Sequence, residues 1–156
     1  MAHSRIIEVS TDPLDRSKWA VADDFIKNGF VGFVADYTSD LNEAERLDSI
    51  ACFGECIKDA YGIVQEGSYH KLIPLPQGKV KYFTNRLDAL VTLVNNISIE
   101  EFCQSHAVWQ IEELLRQKQS FYVCENGEYQ TLDTFIRDCC YEGEEYYICA
   151  VIDYHM

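Results

Sequence analysis

Residues 98–118, SIEEFCQSHAVWQIEELLRQK, predict a long helix around which the rest of the chain is arranged. Ser98 and Glu101 have the spacing of a capping box, in which a hydroxyl and a carboxylate satisfy amides of the first helical turn. Neither proline nor glycine interrupts the stretch. At about 100° per residue, one side carries a core-like apolar stripe of Cys103, Ala107, Ile111, Leu114 and Leu115.

A second apolar strip lies on another face of the same predicted helix. It consists of Phe102 and Trp109, with His106 and Glu113 beside it. A helix that is apolar on two faces is either central to its domain or holds one face against a partner. We therefore expect Phe102, His106, Trp109 and Glu113 to contribute to a binding surface.

Upstream of this helix, hydrophobic periodicity predicts alternating strands and helices. The predicted strands are 5–10, 30–37, 69–73 and 79–84, the last two forming a hairpin, and the predicted helices are 41–61 and 86–96. The first helix should turn Leu47, Ile50, Ala51, Gly54, Ile57 and Tyr61 inward. The second should be almost wholly buried through Leu87, Leu90, Val91, Leu93 and Val94. Residues 13–27 fit either a helix or an extended segment through residues 19–21.

Downstream, the pattern predicts a hairpin, a short helix and a closing strand. Asn126-Gly127 is a strong turn signal after a strand at 121–124, and a helix follows at 131–140. The strand 146–154 is apolar on both sides, which predicts a position inside the sheet. The whole chain, 1–156, is therefore expected to be a single α+β domain. Its sheet should be mixed or mostly antiparallel, covered by three main helices at 41–61, 86–96 and 98–118.

The composition is that of a folded protein outside the membrane. A hydrophobic fraction of 47% in 156 residues supports a core. Neither an apolar run of about 18 residues nor a secretory signal occurs. We therefore expect a cytoplasmic protein without membrane contact. The N-terminal third resembles uncharacterised proteins of bacterial mobile elements, and no residue is carried over from that resemblance.

The net charge of −13 is unevenly distributed. Residues 1–60 carry 12 acidic and 6 basic side chains, residues 61–97 carry 2 and 4, and residues 98–156 carry 12 and 3. Such a surface repels phosphate backbones, so direct nucleic-acid binding is not expected. A basic or DNA-binding protein is a fitting partner, and mimicry of nucleic acid by carboxylates is one form of this hypothesis. Solubility alone is the simpler interpretation.

Seven cysteines in a chain without a secretory signal predict reduced thiols rather than disulfides. Cys52 and Cys56, one helical turn apart, together with Cys103 and His106 loosely resemble a zinc-binding set. However, the predicted helix places Cys52 on its outer side among acidic residues, which disfavours the thiolate. We therefore predict no metal and no cofactor.

A basic segment interrupts the acidic chain and contains His70, Lys79 and Lys81. On a strand, Lys79 and Lys81 would share one face. Lysines commonly protect the edge strands of natural sheets from aggregation. The functional alternative is that His70, Lys79 and Lys81 contact an acidic patch, including one on a second copy in a homodimer.

The sequence contains no phosphate-loop, nucleophile-elbow or zinc-protease motif. Cys103 and His106 are the only neighbouring nucleophile and base, and a working site also needs orienting and oxyanion groups. We assign no catalytic residue. The predicted function is that of a non-enzymatic interaction or regulatory protein. The alternative is a small cysteine- or histidine-dependent enzyme that uses Cys103, His106 or His70.

Overall fold

The computed structural model describes residues 4–116 and 121–156, in which strands and helices form an α+β fold, as predicted. The strands are β1 Arg5–Ser10, β2 Tyr37–Asp40, β3 Tyr61–Glu66, β4 Tyr69–Pro74, β5 Phe121–Glu125, β6 Glu128–Thr131 and β7 Tyr146–His155. The helices are α1 Asp24–Lys27, α2 Phe30–Phe33, α3 Glu43–Ile57, α4 Gly78–Asn96, α5 Ile99–Phe102, α6 Ser105–Leu115 and α7 Leu132–Cys139. No helix among these residues combines the length and apolar composition needed to span a membrane.

The sheet is mixed, and β7 lies at its centre. The strand order is β3-β4-β7-β1-β5-β6, and β2 pairs with β7 on the same side as β4. Only the β1–β5 pair is parallel among the described strands. The predicted interior position of the closing strand is therefore confirmed, and most of its side chains are buried.

Each face of the sheet has its own core. On one face, α3 and α7 pack through a cluster that includes Ile50, Phe53, Ile57, Phe135 and Ile136. On the other face, the chain between β1 and β2 covers the sheet through a cluster that includes Phe25, Phe30, Tyr122, Tyr129 and Tyr154. The sheet is thus buried on both sides near β7.

A β-bulge interrupts the pairing of β1 with β7. Ile7 lies opposite Val151 and Val9 opposite Ile148, so two residues of β7 face the single residue Glu8. A bulge leaves backbone groups without ladder partners. The carboxylate of Glu8 accepts hydrogen bonds from the N–H groups of Ala150 and Ala20, at 3.1 and 3.0 Å. Glu8 therefore joins the bulge to the segment that covers the sheet.

The predicted strand 30–37 is wrong, because Phe30–Phe33 form the irregular turn α2, in which Val31 and Gly32 are not helical, and the strand β2 begins only at Tyr37. Gly29 and Gly32 adopt positive φ angles of 84° and 96°. Such angles turn the chain sharply and are incompatible with a continuous strand. The turn buries Phe30 in the aromatic cluster, and this tertiary packing overrides the β-propensity of the segment.

The first predicted helices are shorter or rotated. Within 13–27, only a 3₁₀ turn at Arg16–Lys18 and α1 are helical, and residues 19–21 are neither helix nor strand. The predicted helix 41–61 is α3, which Asn42 caps through a capping box. Its inward face holds Arg46 and Ser49, whereas Leu47 is exposed. Ile50 and Ile57 face inward as predicted, whereas Ala51 is exposed like Leu47. Arg46 takes an inward position instead because its guanidinium donates hydrogen bonds to main-chain carbonyls.

The predicted strand 79–84 is also wrong, because these residues form the first turns of α4. The true partner of β4 is β3. The helical form is stabilised by contacts with the sheet domain, which Tyr82, Phe83 and Arg86 make at helical spacing. The six residues 79–84 alone fit a strand or a helix, so their sequence does not predict these contacts. Lys79 and Lys81 therefore point about 200° apart on a helix and share no face.

The predicted helix 98–118 is two helices rather than one. The capping box at Ser98 is confirmed, but α5 ends at Phe102 and α6 begins at Ser105. Gln104 between them is extended, with φ −97° and ψ 143°. The break directs α6 back onto α4, where Ala107 is buried, so tertiary packing overrides local helix propensity. Residues 117 and 118 lie outside the described residues.

Candidate functional site

Residues 78–116, which contain α4, α5 and α6, form a helical hairpin whose base is anchored to the sheet domain. Asp133 is buried on α7, where it binds the guanidinium of Arg86 and accepts a hydrogen bond from the hydroxyl of Tyr82 at 3.1 Å. The ammonium of Lys79 lies 3.8 Å above the ring of Tyr141 and donates to the carbonyl of Arg137. These contacts fix the direction in which the hairpin leaves the domain.

Beyond this base, α4 packs chiefly on α6. Leu93 and Ala107 line one cavity of about 380 Å³, and Ala89 and Leu114 line another. These pairings show that the two helices run in opposite directions. Of α4, only Gly78 is fully buried, although its composition predicted burial along its length.

A row of exposed apolar side chains runs along α4. It consists of Val80, Leu87, Val91 and Val94, which follow each other at intervals of seven, four and three residues. The prediction that Leu87, Val91 and Val94 are buried is therefore wrong for the isolated chain. The same hydrophobic pattern is present, but no described residue of this chain covers it.

Helical geometry brings a second exposed row, Val108 and Leu115 of α6, to the same side of the hairpin. In each helix the exposed row lies roughly 100–150° from the packed residues in the same rotational sense. Because the helices are antiparallel, equal rotations place both rows on one side. We call this surface the apolar face: Val80, Leu87, Val91, Val94, Val108 and Leu115, each between 42% and 64% exposed.

The predicted strip of Phe102 and Trp109 is exposed but discontinuous. Phe102 ends α5 and Trp109 lies on α6, on the other side of the break at Gln104. The imidazole of His106 stacks on the Trp109 indole, with ring centroids 5.8 Å apart. Trp109 points about 100° away from its neighbour Val108, so it lies outside the apolar face. Whether this strip, with Glu113, binds a partner stays a prediction.

The three basic candidates do not form one site. Lys79 is engaged at the base of the hairpin, whereas Lys81 is exposed on its polar side. His70 lies on β4, and its Nδ1 is buried without a hydrogen-bond partner among the described residues. Burial and the nearby Arg46 lower the pKa of His70.

The seven cysteines are free, and Cys52 and Cys103 are exposed. Burial, reinforced by Glu8, raises the pKa of Cys124 to about 11 and that of Cys149 to about 12. A thiol with such a pKa is a poor nucleophile near neutral pH. In residues 4–116 and 121–156, no group of three or more histidine, cysteine, aspartate or glutamate side chains is arranged to hold a metal ion.

Sequence reasoning missed Glu8, which lines a cavity of about 370 Å³ with Asp24, Lys18 and Cys124. Burial raises the pKa of the Glu8 carboxyl, although its two backbone donors act in the opposite direction. The sequence feature that could have identified Glu8 is a charged residue in the middle of an otherwise apolar strand, Ile-Ile-Glu-Val. Buried carboxyls of this kind are usually satisfied by hydrogen bonds, as here.

The Glu8 carboxyl should make stability depend on pH. Because its pKa is higher in the folded state, the folded protein binds more protons from about pH 4.3 upward. Its contribution to stability is therefore full below the unfolded pKa and declines as pH rises towards the folded pKa. The carbonyl oxygen in Glu8→Gln can accept both hydrogen bonds without ionising. We expect wild type to lose stability relative to Glu8→Gln as pH rises above the unfolded pKa of about 4.3.

Urea denaturation of both proteins at several pH values measures this difference. Glu128→Gln is the matched control, since it removes the same charge from an exposed position of β6. A gain of wild type over Glu8→Gln with rising pH would show that the ionised carboxylate is the favoured form at the bulge.

Comparison with known proteins does not assign a function to any of these sites. No family model matches the chain, and no curated protein or solved structure shows a significant match.

Proposed function

We propose that this chain is a non-enzymatic interaction protein whose binding surface is the apolar face of the helical hairpin. The carrying observation is that six large aliphatic side chains are exposed together on two adjacent helices. Soluble monomers rarely expose a large contiguous apolar patch, and such patches commonly mark sites of protein–protein contact.

The free energy that burial of these six side chains would contribute to binding supports this proposal. Full burial of a valine or leucine side chain contributes about 1.5–3 kcal/mol, so a half-exposed one still has roughly 1 kcal/mol to gain. Six such side chains together offer on the order of 5 kcal/mol to a partner that covers them. The ion pair of Arg86 with Asp133 fixes the hairpin beforehand, which limits the entropy lost on binding.

The charge of the remaining chain bears on which partners it attracts. Outside residues 78–116 the chain carries 21 acidic and 9 basic side chains. Several cations are already paired with carboxylates, for example Lys71 with both Glu66 and Glu145 at 3.1 and 2.8 Å. We extend the proposal to a cytoplasmic protein whose acidic domain attracts a basic or DNA-binding protein and repels nucleic acid and anionic membranes. Mimicry of nucleic acid is its most specific form.

The alternative, a cysteine- or histidine-dependent enzyme, has less support. A cavity lined by His70 contains Glu55 but no cysteine. The one beside Cys124 contains Glu8 and Asp24 but no histidine. A nucleophile, a base and an orienting group therefore do not converge in these cavities.

Site-specific photo-crosslinking tests whether the apolar face is covered in the cell. A photoreactive phenylalanine analogue replaces Val91, which lies on the face, or Thr92, which is exposed on the polar side. We expect a covalent adduct from position 91 and only background from position 92. Adducts of equal yield from both positions, or none from position 91, would contradict the proposal.

A further inference from the structure

We infer that the partner on the apolar face is a second copy of this chain, so that two helical hairpins form a four-helix bundle. This inference rests on the proposed function and specifies its partner. A two-helix layer with one unpaired apolar face is half of such a bundle, in which helices pack around a shared apolar core.

The spacing along α4 indicates that the occupant is itself helical. Val80, Thr84, Leu87, Val91 and Val94 alternate steps of four and three residues, which is the a/d pattern of a helix packed on another helix. The pattern extends through most of the 19 residues of α4. At 1.5 Å per residue the pattern from Val80 to Val94 spans about 21 Å, long enough for several layers of interlocking side chains.

The distribution of charge favours a second copy of the chain, rather than a basic protein, as the partner at this face. The helical hairpin has 5 acidic and 4 basic side chains and is nearly neutral, whereas the rest of the chain has 21 acidic and 9 basic. Two copies of an acidic protein repel each other except where charge is low. A basic partner would instead gain most from the acidic domain and least from the hairpin.

Two-fold symmetry allows the apolar face to serve as the interface on both copies. In a two-fold dimer, each residue of a patch meets the same patch on the other chain, so no second surface is needed. The aliphatic side chains of this face need no matching charges across that axis, and Glu112, which lies between Val108 and Leu115 on α6, is exposed beside the cation of Arg116. The acidic domains remain outside the bundle, where they can contact further partners.

Sedimentation equilibrium of the purified chain tests the inference. We expect wild type to have twice the chain mass of 18.0 kDa at micromolar concentrations. Val91→Glu should raise the dimer dissociation constant by at least about 100-fold, because two unpaired carboxylates would be buried per dimer. Thr92→Glu adds the same charge on the polar side and should stay within about threefold of wild type. Circular dichroism establishes that each variant is folded.

Salt distinguishes this interface from contacts made by the acidic domain. Raising salt from 0.1 to 1 M shortens the Debye length from about 10 to 3 Å. The dimer should therefore tighten as repulsion between acidic domains is screened, whereas a charge-driven complex should weaken. A monomeric wild type overturns the inference, and so does a dimer unaffected by Val91→Glu. If position 91 nevertheless crosslinks to another protein in the cell, the proposed function stands without self-association.

Discussion

Replacing Phe30 with alanine is expected to lower the free energy of unfolding by about 3–5 kcal/mol. Phe30 is fully buried and makes edge-to-face contacts with Phe25, Tyr122, Tyr129 and Tyr154, with centroid distances between 4.9 and 5.9 Å. Each such aromatic pair contributes roughly 0.5–1.5 kcal/mol beyond simple burial. Alanine removes all four contacts and leaves a cavity that rigid neighbouring rings cannot fill.

Phe33 provides a matched control within the same short helix. It is 88% exposed, so Phe33→Ala should change the free energy of unfolding by less than about 0.5 kcal/mol. Urea denaturation followed by far-UV circular dichroism compares the two variants. Equal losses would mean that the backbone turn of α2, rather than the ring of Phe30, holds this segment against the sheet.

The aromatic cluster also shows where sequence reasoning fails. Strands β1 and β7 and the turn at Asn126-Gly127 were correctly predicted because their patterns are local and strong. The segment around Phe30 has the same apolar composition as a strand. Its true conformation depends on positive φ angles at Gly29 and Gly32 and on rings that arrive from β5, β6 and β7. Such distant contacts leave no periodic signal in the segment itself.

The candidate surface was only partly predictable for a related reason. The capping box at Ser98 and the exposed apolar character of Trp109 follow from local sequence. Leu87 and Val91 were correctly identified as apolar positions at helical spacing. Periodicity indicates that such side chains should be covered but does not indicate which chain covers them. Residues that look like core in the sequence are exposed in the structure.

Replacing Arg46 with alanine should be nearly as damaging as replacing Phe30, with an expected loss of about 3–5 kcal/mol. Arg46 lies on α3 and is buried beneath β7. Its Nε donates to the carbonyl of Cys149 at 2.9 Å and its Nη2 donates to that of Ile148 at 3.4 Å. These carbonyls lie next to the bulge, where β4 has ended at Ile148 and β2 begins only opposite Ile152. Cys149 lies opposite no residue of a neighbouring strand in these registers, so without the guanidinium its carbonyl would lose this donor in the core.

Arg16 is a control for the hydrogen bonds of Arg46 to β7, because it shares the other contacts of Arg46 but not these bonds. Both guanidiniums bind Glu43 and both lie over the ring of Trp19, at 4.8 Å for Arg16 and 4.5 Å for Arg46. Arg16 is 61% exposed and reaches no carbonyl of β7 in the described contacts. Arg16→Ala should therefore cost less than about 1 kcal/mol.

Urea denaturation of Arg46→Ala, Arg46→Lys and Arg16→Ala distinguishes the two explanations. A lysine keeps the charge but lacks the forked donors that serve two carbonyls, so Arg46→Lys should lose more than Arg16→Ala and less than Arg46→Ala. If Arg16→Ala proved as damaging as Arg46→Ala, the shared ion pair with Glu43 and the Trp19 contact would be the stabilising features. The larger loss expected at Arg46 would instead identify its hydrogen bonds to the carbonyls of β7 as the reason why a charge is buried there.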